Sequence, residues 1–344
     1  MSRIDSNVSH DFVFALLHGR WARAVRGPAL HRLLNSGTVE SLQQALRGIG
    51  LNGMDREGFH RELRTRELAR LAEVAGLLGG EAAGYYRSLI AGAHYENLKT
   101  LLHCRFLPEE RQTNPDAMLV QAEGVPMLDS HAILRQPNTA SFLSAIPDFP
   151  GLEKERLTAI VSRFADDHDI MMLECALDRM CAAHAFRAAK AAPLAFSRQA
   201  QELNGLRVDI LNLDMLLRNM QTYHFDGARM AEVWLPGGNA LSETLLDSLV
   251  GRRSEAVLAA LPRAFRQVLE PLAGQQPLYQ SERALWDLLY RRANQMFMDL
   301  GAPDSSIPAY PVLLHFESLN ISRVYEGVHF GLPSRELQEM MIGG

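Results

Sequence analysis

The chain has 344 residues, of which 47% are hydrophobic and 22% charged, and its formal net charge is −5. That composition supports a large folded core and excludes a disordered chain, while the acidic balance excludes a basic nucleic-acid footprint. Its three cysteines, Cys104, Cys175 and Cys181, exclude a disulfide framework and fit a reducing cytosol.

Met1–Asp5 lacks the charged-then-apolar order of a secretory leader. Beyond it the predicted elements are helices. Leu63, Leu68, Leu71, Val74, Ala75 and Leu78 recur at a helical period. So do Leu173, Leu177, Met180 and Cys181, and later Leu285, Leu288, Leu289, Ala293 and Met296. Clusters of Pro and Gly at 48–53, 79–80, 108–115, 147–151, 236–238 and 301–311 punctuate these runs. Alternating Val, Ile and Thr are nearly absent, so no sheet is expected. The longest stretches free of Asp, Glu, Lys and Arg, 136–147 and 305–316, are shorter than the ~20 apolar residues a membrane span needs.

An internal repeat organises the helices. Asn97, Asn212 and Asn320 are each followed by apolar residues one, four and five places on, which lie on one helical face. Three places before each stands His94, Asp209 or Glu317. A second signature runs in step: Thr38, Thr139 and Ser254 each precede apolar residues at +4 and +7, the pattern of an N-cap. Two patterns, each occurring three times in the same order, predict three similar all-α modules, 1–115, 116–225 and 226–344, able to pack around a pseudo-three-fold axis. Such a body suits a ring, socket or adaptor better than an active site. Each asparagine is expected to make a buried hydrogen bond that fixes helix register, because a polar side chain on an apolar face must find partners. The competing expectation is an inward-facing ring that binds something.

The sequence offers little chemistry beside this. A phosphate-binding P-loop needs Gly before Lys-Ser/Thr, and Lys99-Thr100 follows Leu98 in a helical run. Only three of the 35 basic residues are lysines: Lys99, Lys154 and Lys190. Cys175 and Cys181 fall on different helical faces, so they are expected as buried structural residues rather than as ligands. The acidic run Asp166-Asp167-His168-Asp169 reads as carboxylates at a helix start. Gly237-Gly238 reads as a helix-stopping loop. No catalytic, cofactor or metal residue is assigned.

Five segments carry a resemblance. They are Tyr95-Glu96-Asn97-Leu98-Lys99-Thr100-Leu101-Leu102, Leu173-Glu174-Cys175-Ala176-Leu177-Asp178-Arg179, Arg207-Val208-Asp209-Ile210-Leu211-Asn212-Leu213, Leu235-Pro236-Gly237-Gly238, and the end from Phe316-Glu317-Ser318-Leu319-Asn320. Together they resemble the C-type subunits of bacterial and archaeal V/A-type rotary ATPases, whose eukaryotic counterparts are the d-type subunits of V-ATPases, from about Phe12 onward. The first repeat departs from the family in His94, the third in Ile321 and Tyr325, and Met1–Asp11 has no counterpart. The resemblance implies a funnel-shaped, non-catalytic central-stalk protein. It would hold the central shaft made of the D and F subunits, sit on the membrane rotor ring of proteolipid subunits at the cytoplasmic face, and bind no cofactor, nucleic acid or small-molecule substrate. The excess of arginine could serve the ring interface. The rival expectations are a free-standing helical scaffold recruited to another complex and an enzyme without a recognisable site.

Overall fold

The computed structural model describes residues 10–52, 55–107, 114–121, 128–164, 169–272 and 277–343. Asp166, Asp167, His168 and the stretch Met1–Ser9 lie outside the described residues. Every described element is helical, as the periodicity predicts. In chain order they are α1 (His10–Trp21), α2 (Pro28–Leu34), α3 (Val39–Arg47), α4 (Arg56–Leu77), α5 (Gly80–Phe106), α6 (Pro115–Met118), α7 (Ser130–Leu134), α8 (Thr139–Ala145) and α9 (Lys154–Phe164). Then come α10 (Ile170–Ala191), α11 (Leu194–Arg218), α12 (Gly227–Val233), α13 (Glu243–Leu249), α14 (Ser254–Ala260), α15 (Arg263–Leu269), α16 (Leu278–Phe297), α17 (Pro303–His329) and α18 (Ser334–Met340). Among the described residues no helix is long and apolar enough to cross a membrane.

Six long helices form three hairpins, and their corners are written in the sequence. The α4–α5 corner holds Gly79 and Gly80, the latter at φ +51°, a conformation that favours glycine. Pro193 sits between α10 and α11, where it forces the preceding Ala192 into an extended conformation. Pro303 opens α17, where its missing N–H costs nothing. There the Ser306 hydroxyl donates to the Phe297 carbonyl at 2.9 Å and ties the corner shut.

The N-cap signature needs correction at two of its three places. Thr38 caps α3, accepting from the Ser41 N–H at 3.2 Å. Thr139 is already inside α8, because Asn138 takes the cap and accepts from the Ser141 N–H at 2.8 Å. Ser254 likewise lies inside α14, whose N-cap position is Arg253 with no side-chain bond. Asn ranks above Thr as an N-cap, so the helix starts one residue early at α8.

Within each hairpin the helices pack together: α4 on α5, α10 on α11, and α16 on α17. Each second helix also packs on the first helix of another hairpin, α5 on α10, α11 on α16 and α17 on α4. The short helices close over these junctions. One apolar cluster (Leu101, Phe142, Leu157, Val161, Leu177) fills the space between α5 and α10 beneath α7–α9. Another (Leu30, Leu42, Phe59, Val324, Tyr325) lies between α4 and α17 beneath α2 and α3. The central cluster draws on all three hairpins, through Leu71, Tyr86, Phe196, Leu213, Leu289 and Leu313 among others.

Opposite charges bridge every junction. Lys99 meets Asp178 at 2.6 Å between α5 and α10, Arg218 meets Glu282 at 3.0 Å between α11 and α16, and Arg70 meets Glu317 at 2.9 Å between α17 and α4. Burial works against the Lys99 ammonium, but Asp178 and Glu96 outweigh it and hold its pKa above the ordinary value.

Glu67 on α4 is buried, at 5% exposure, and pairs with Arg64 at 2.8 Å and with His315 of α17 at 3.4 Å. Burial alone would raise its pKa, yet Arg64 first and His315 second pull it down from 4.5 to about 2. A folded value below the unfolded one means ionised Glu67 adds stability above pH 4.5, lost as pH falls towards 2. That contribution is on the order of 3 kcal/mol. Chemical denaturation at several pH values should therefore show Glu67→Gln less stable near neutrality, with the gap to the parent closing below pH 4.5. A gap that stays constant down to acid pH would contradict this assignment.

Candidate functional site

The three asparagines predicted as repeat positions are buried, at 2%, 2% and 5% exposure for Asn97, Asn212 and Asn320. Each makes the same pair of bonds. Asn97 donates from Nδ2 to the Val120 carbonyl at 2.8 Å and accepts the Val120 N–H on Oδ1 at 2.9 Å. Asn212 does the same with Leu235, at 2.9 and 2.7 Å. Asn320 does the same with Ile342, at 2.8 and 3.0 Å. A carboxamide carries one donor and one acceptor side by side, so it matches both backbone groups of a single residue as a neighbouring strand would. Asp could only accept, and an aliphatic side chain could do neither.

The clamped residues occupy like places. Val120 follows α6, Leu235 follows α12 and Ile342 follows α18. Each of these short helices comes after the second helix of a hairpin. The first two clamps reach across the predicted module boundaries at 115/116 and 225/226, so Asn97 and Asn212 hold the links that lead from one hairpin to the next, while Asn320 ties down the chain after α18.

A second element recurs that sequence reasoning missed. From the first helix of each hairpin, one arginine donates to backbone carbonyls of the segment leading into the clamped residue. Arg61 on α4 reaches the Asp116 carbonyl at 2.9 Å. Arg179 on α10 reaches those of Ala231, Glu232 and Trp234 at 3.2, 3.3 and 2.5 Å. Arg283 on α16 reaches that of Met341 at 3.2 Å. A guanidinium is the fitting group here, since the last carbonyls of a helix lack partners and present partial negative charge.

The positions three residues before each asparagine are also buried. Asp209, at 0% exposure, accepts the N–H groups of Asn239, Ala240 and Leu241 at 3.1, 2.9 and 3.1 Å. Burial pushes its carboxyl above the ordinary range, and these three donors pull it back. Glu317 accepts the Val25 N–H at 2.8 Å and pairs with Arg70. Val25 lies three residues before α2, as Ala240 lies three before α13, so the N-terminal segment meets Glu317 as 239–241 meet Asp209. His94 is buried against Phe149, with ring centroids 4.8 Å apart; the stretch that would correspond to 239–241, residues 124–126, lies outside the described residues.

The remaining candidates are local. Cys104 is buried, whereas Cys175 and Cys181 are half-buried, a correction to the expectation of full burial; burial pushes each of these two thiols up to about 11. Asp169 caps α10 through the Met172 N–H at 3.3 Å and pairs with Arg229 at 2.8 Å. Gly237, at φ +94°, turns the chain after Leu235, as the Gly-Gly pair predicts. Among the described residues no three His, Cys, Asp or Glu converge as a metal site. The recurring unit is thus an amide clamp with an arginine on the preceding carbonyls and, at two of the three places, a buried carboxylate that accepts backbone N–H groups beyond it.

A family model described as ATP synthase (C/AC39) subunit matches residues 14–340. No curated protein matches the chain significantly.

Proposed function

The chain belongs to the ATP synthase (C/AC39) subunit family, and from this we propose that it is a non-catalytic central-stalk component of a V/A-type rotary ATPase. In this reading it couples a shaft made of the D and F subunits to the proteolipid rotor ring, peripherally at the cytoplasmic face of the membrane. The observation that carries the proposal is the extent of the family match, which takes in all three clamping asparagines. The physics of the joint supports it. Torque passes only through a body that does not shear, and packed interiors resist deformation. The cyclic order of hairpin contacts and the repeated clamps favour three equivalent modules about a pseudo-three-fold axis, with one end for the shaft and the other for the ring. Among the described residues twelve arginines pair with Asp or Glu within the chain, and others donate to backbone carbonyls, so much of the arginine excess is engaged inside the molecule.

The test is a membrane complex assembled with and without this chain. With it, ATP hydrolysis drives ion transport. Without it, hydrolysis by the soluble sector is expected to persist while transport is lost, and adding the chain back should restore transport. Transport that survives removal, or a chain that co-purifies from native membranes without rotary ATPase subunits, would overturn the proposal.

A further inference from the structure

Between Asp11 and Glu40 the chain has no acidic residue but carries His18, Arg20, Arg23, Arg26, His31 and Arg32, a local excess of positive charge in a molecule of net charge −5. Arg20 pairs with Glu73. Arg23, Arg26 and Arg32 are exposed and form no ion pair among the described residues. Arg26 and His31 stand at the edge of a cleft of about 140 Å³, open to solvent, between the α1–α2 segment and the chain after α18. Its floor is apolar, built from the buried Leu30, Leu34, Met341 and Ile342. Trp21 also lines it, 4% exposed, and its indole N–H has no hydrogen-bond partner among the described residues. Arg26 lies over that indole, 5.1 Å from the ring centroid, and donates to the Trp21 carbonyl at 3.3 Å. Glu317 itself lines the cleft, but its charge is met by Arg70 and the Val25 N–H, and Asp287 nearby is engaged with Arg291 and the Gly343 N–H.

We propose that this cleft binds an acidic segment of a partner protein, a peptide placing a carboxylate at Arg26 and His31 and an apolar side chain on the floor beneath. Charge complementarity selects the acid. An extended segment fits better than a membrane surface, because the apolar residues are recessed in the cleft rather than projecting from it, and lipid-binding faces project theirs.

The experiment uses the full chain and a short fluorescein-labelled peptide alternating glutamate with leucine, followed by fluorescence anisotropy. A twin with glutamine for glutamate and vesicles of phosphatidylcholine with phosphatidylglycerol complete the set. The glutamate peptide is expected to bind at low salt and weaken as salt screens the pair. Arg26→Glu should weaken it about tenfold, close to 1.4 kcal/mol. Arg135→Glu, a substitution beside α7 and away from the cleft, should leave binding unchanged. His31→Glu, at the other exposed cationic residue of the cleft, gives the same reading should Arg26→Glu melt early by circular dichroism. Equal binding of the glutamine twin, indifference to both reversals, or Arg26-dependent binding of the vesicles without the peptide would each overturn the proposal.

Discussion

Asp209→Ala is expected to lower the unfolding free energy by about 3 kcal/mol, since three N–H groups lose a charged acceptor at once. The carboxylate is fully buried and bonds Asn239, Ala240 and Leu241 along one turn of chain. Of these three residues Leu241 is buried, so its N–H stays dry when the acceptor goes, while those of Asn239 and Ala240 lie on exposed residues that water can reach. Asp209→Asn should cost less. It keeps one acceptor oxygen and replaces the carboxyl, whose pKa burial pushes upward, with an amide that cannot ionise. A raised folded value means the ionised form is disfavoured in the folded state, so the parent loses stability as pH rises past 3.8, and the Asn variant should not show that loss. Gly238 belongs to the same joint: a Cβ there would stand 2.3 Å from Asp209 Oδ1, so Gly238→Ala must displace the carboxylate. Urea titrations of the three variants decide the matter. An alanine variant as stable as the parent would mean that the 239–241 turn is held by its apolar contacts alone.

The sequence displays one half of each joint and hides the other. Asn97, Asn212 and Asn320 stand out because a polar residue on an apolar helical face breaks a pattern. Their partners do not stand out: Val120, Leu235 and Ile342 are used through their backbones, and a backbone has no sequence signature. The arginines escape for a different reason. Arg61, Arg179 and Arg283 precede the asparagines by unequal intervals, because the hairpins start and turn at different places, so no fixed spacing marks them. Only Arg179 lies in a segment with a recognisable motif, and there it reads as one surface charge among many. The helices themselves are legible from periodicity, and two of their corners from Gly79-Gly80 and the 301–311 cluster; the third, at Pro193, is marked by a lone proline outside any cluster. The caps of α8 and α14 stand one residue before the positions that spacing suggests, because spacing alone does not rank adjacent polar residues such as Asn138 and Thr139. The cyclic order of contacts is not legible. Which hairpin meets which depends on side-chain shape over long sequence separations, such as Phe59 stacked on Tyr325 at 3.8 Å.

Asn212→Leu is expected to cost about 2–3 kcal/mol, because the substitution keeps the volume but leaves the Leu235 N–H and carbonyl without partners inside the fold. The strand of chain cannot easily swing out to find water. Trp234 beside it is 1% exposed, with its indole donating to Asp247 at 2.8 Å, and Arg179 holds the Trp234 carbonyl. Asn212→Asp should be at least as damaging at neutral pH, since its oxygens would accept the N–H but face the Leu235 carbonyl with negative charge. The same pair of substitutions at Asn97 and Asn320 should rank in the same order, as all three clamps share one geometry. Their effects should add across sites, because the clamps have no partner in common. Hydrogen exchange gives the local reading: the Leu235 amide should exchange faster in Asn212→Leu, while the Val120 and Ile342 amides stay protected. If the clamps tie successive hairpins together, the variant should also unfold over a broader denaturant range, since loosened units no longer melt as one. A sharp transition displaced without broadening would locate the clamp's worth inside a single hairpin, and the cooperative body that the proposed coupling role calls for would then have to rest on the α5–α10, α11–α16 and α17–α4 packing alone.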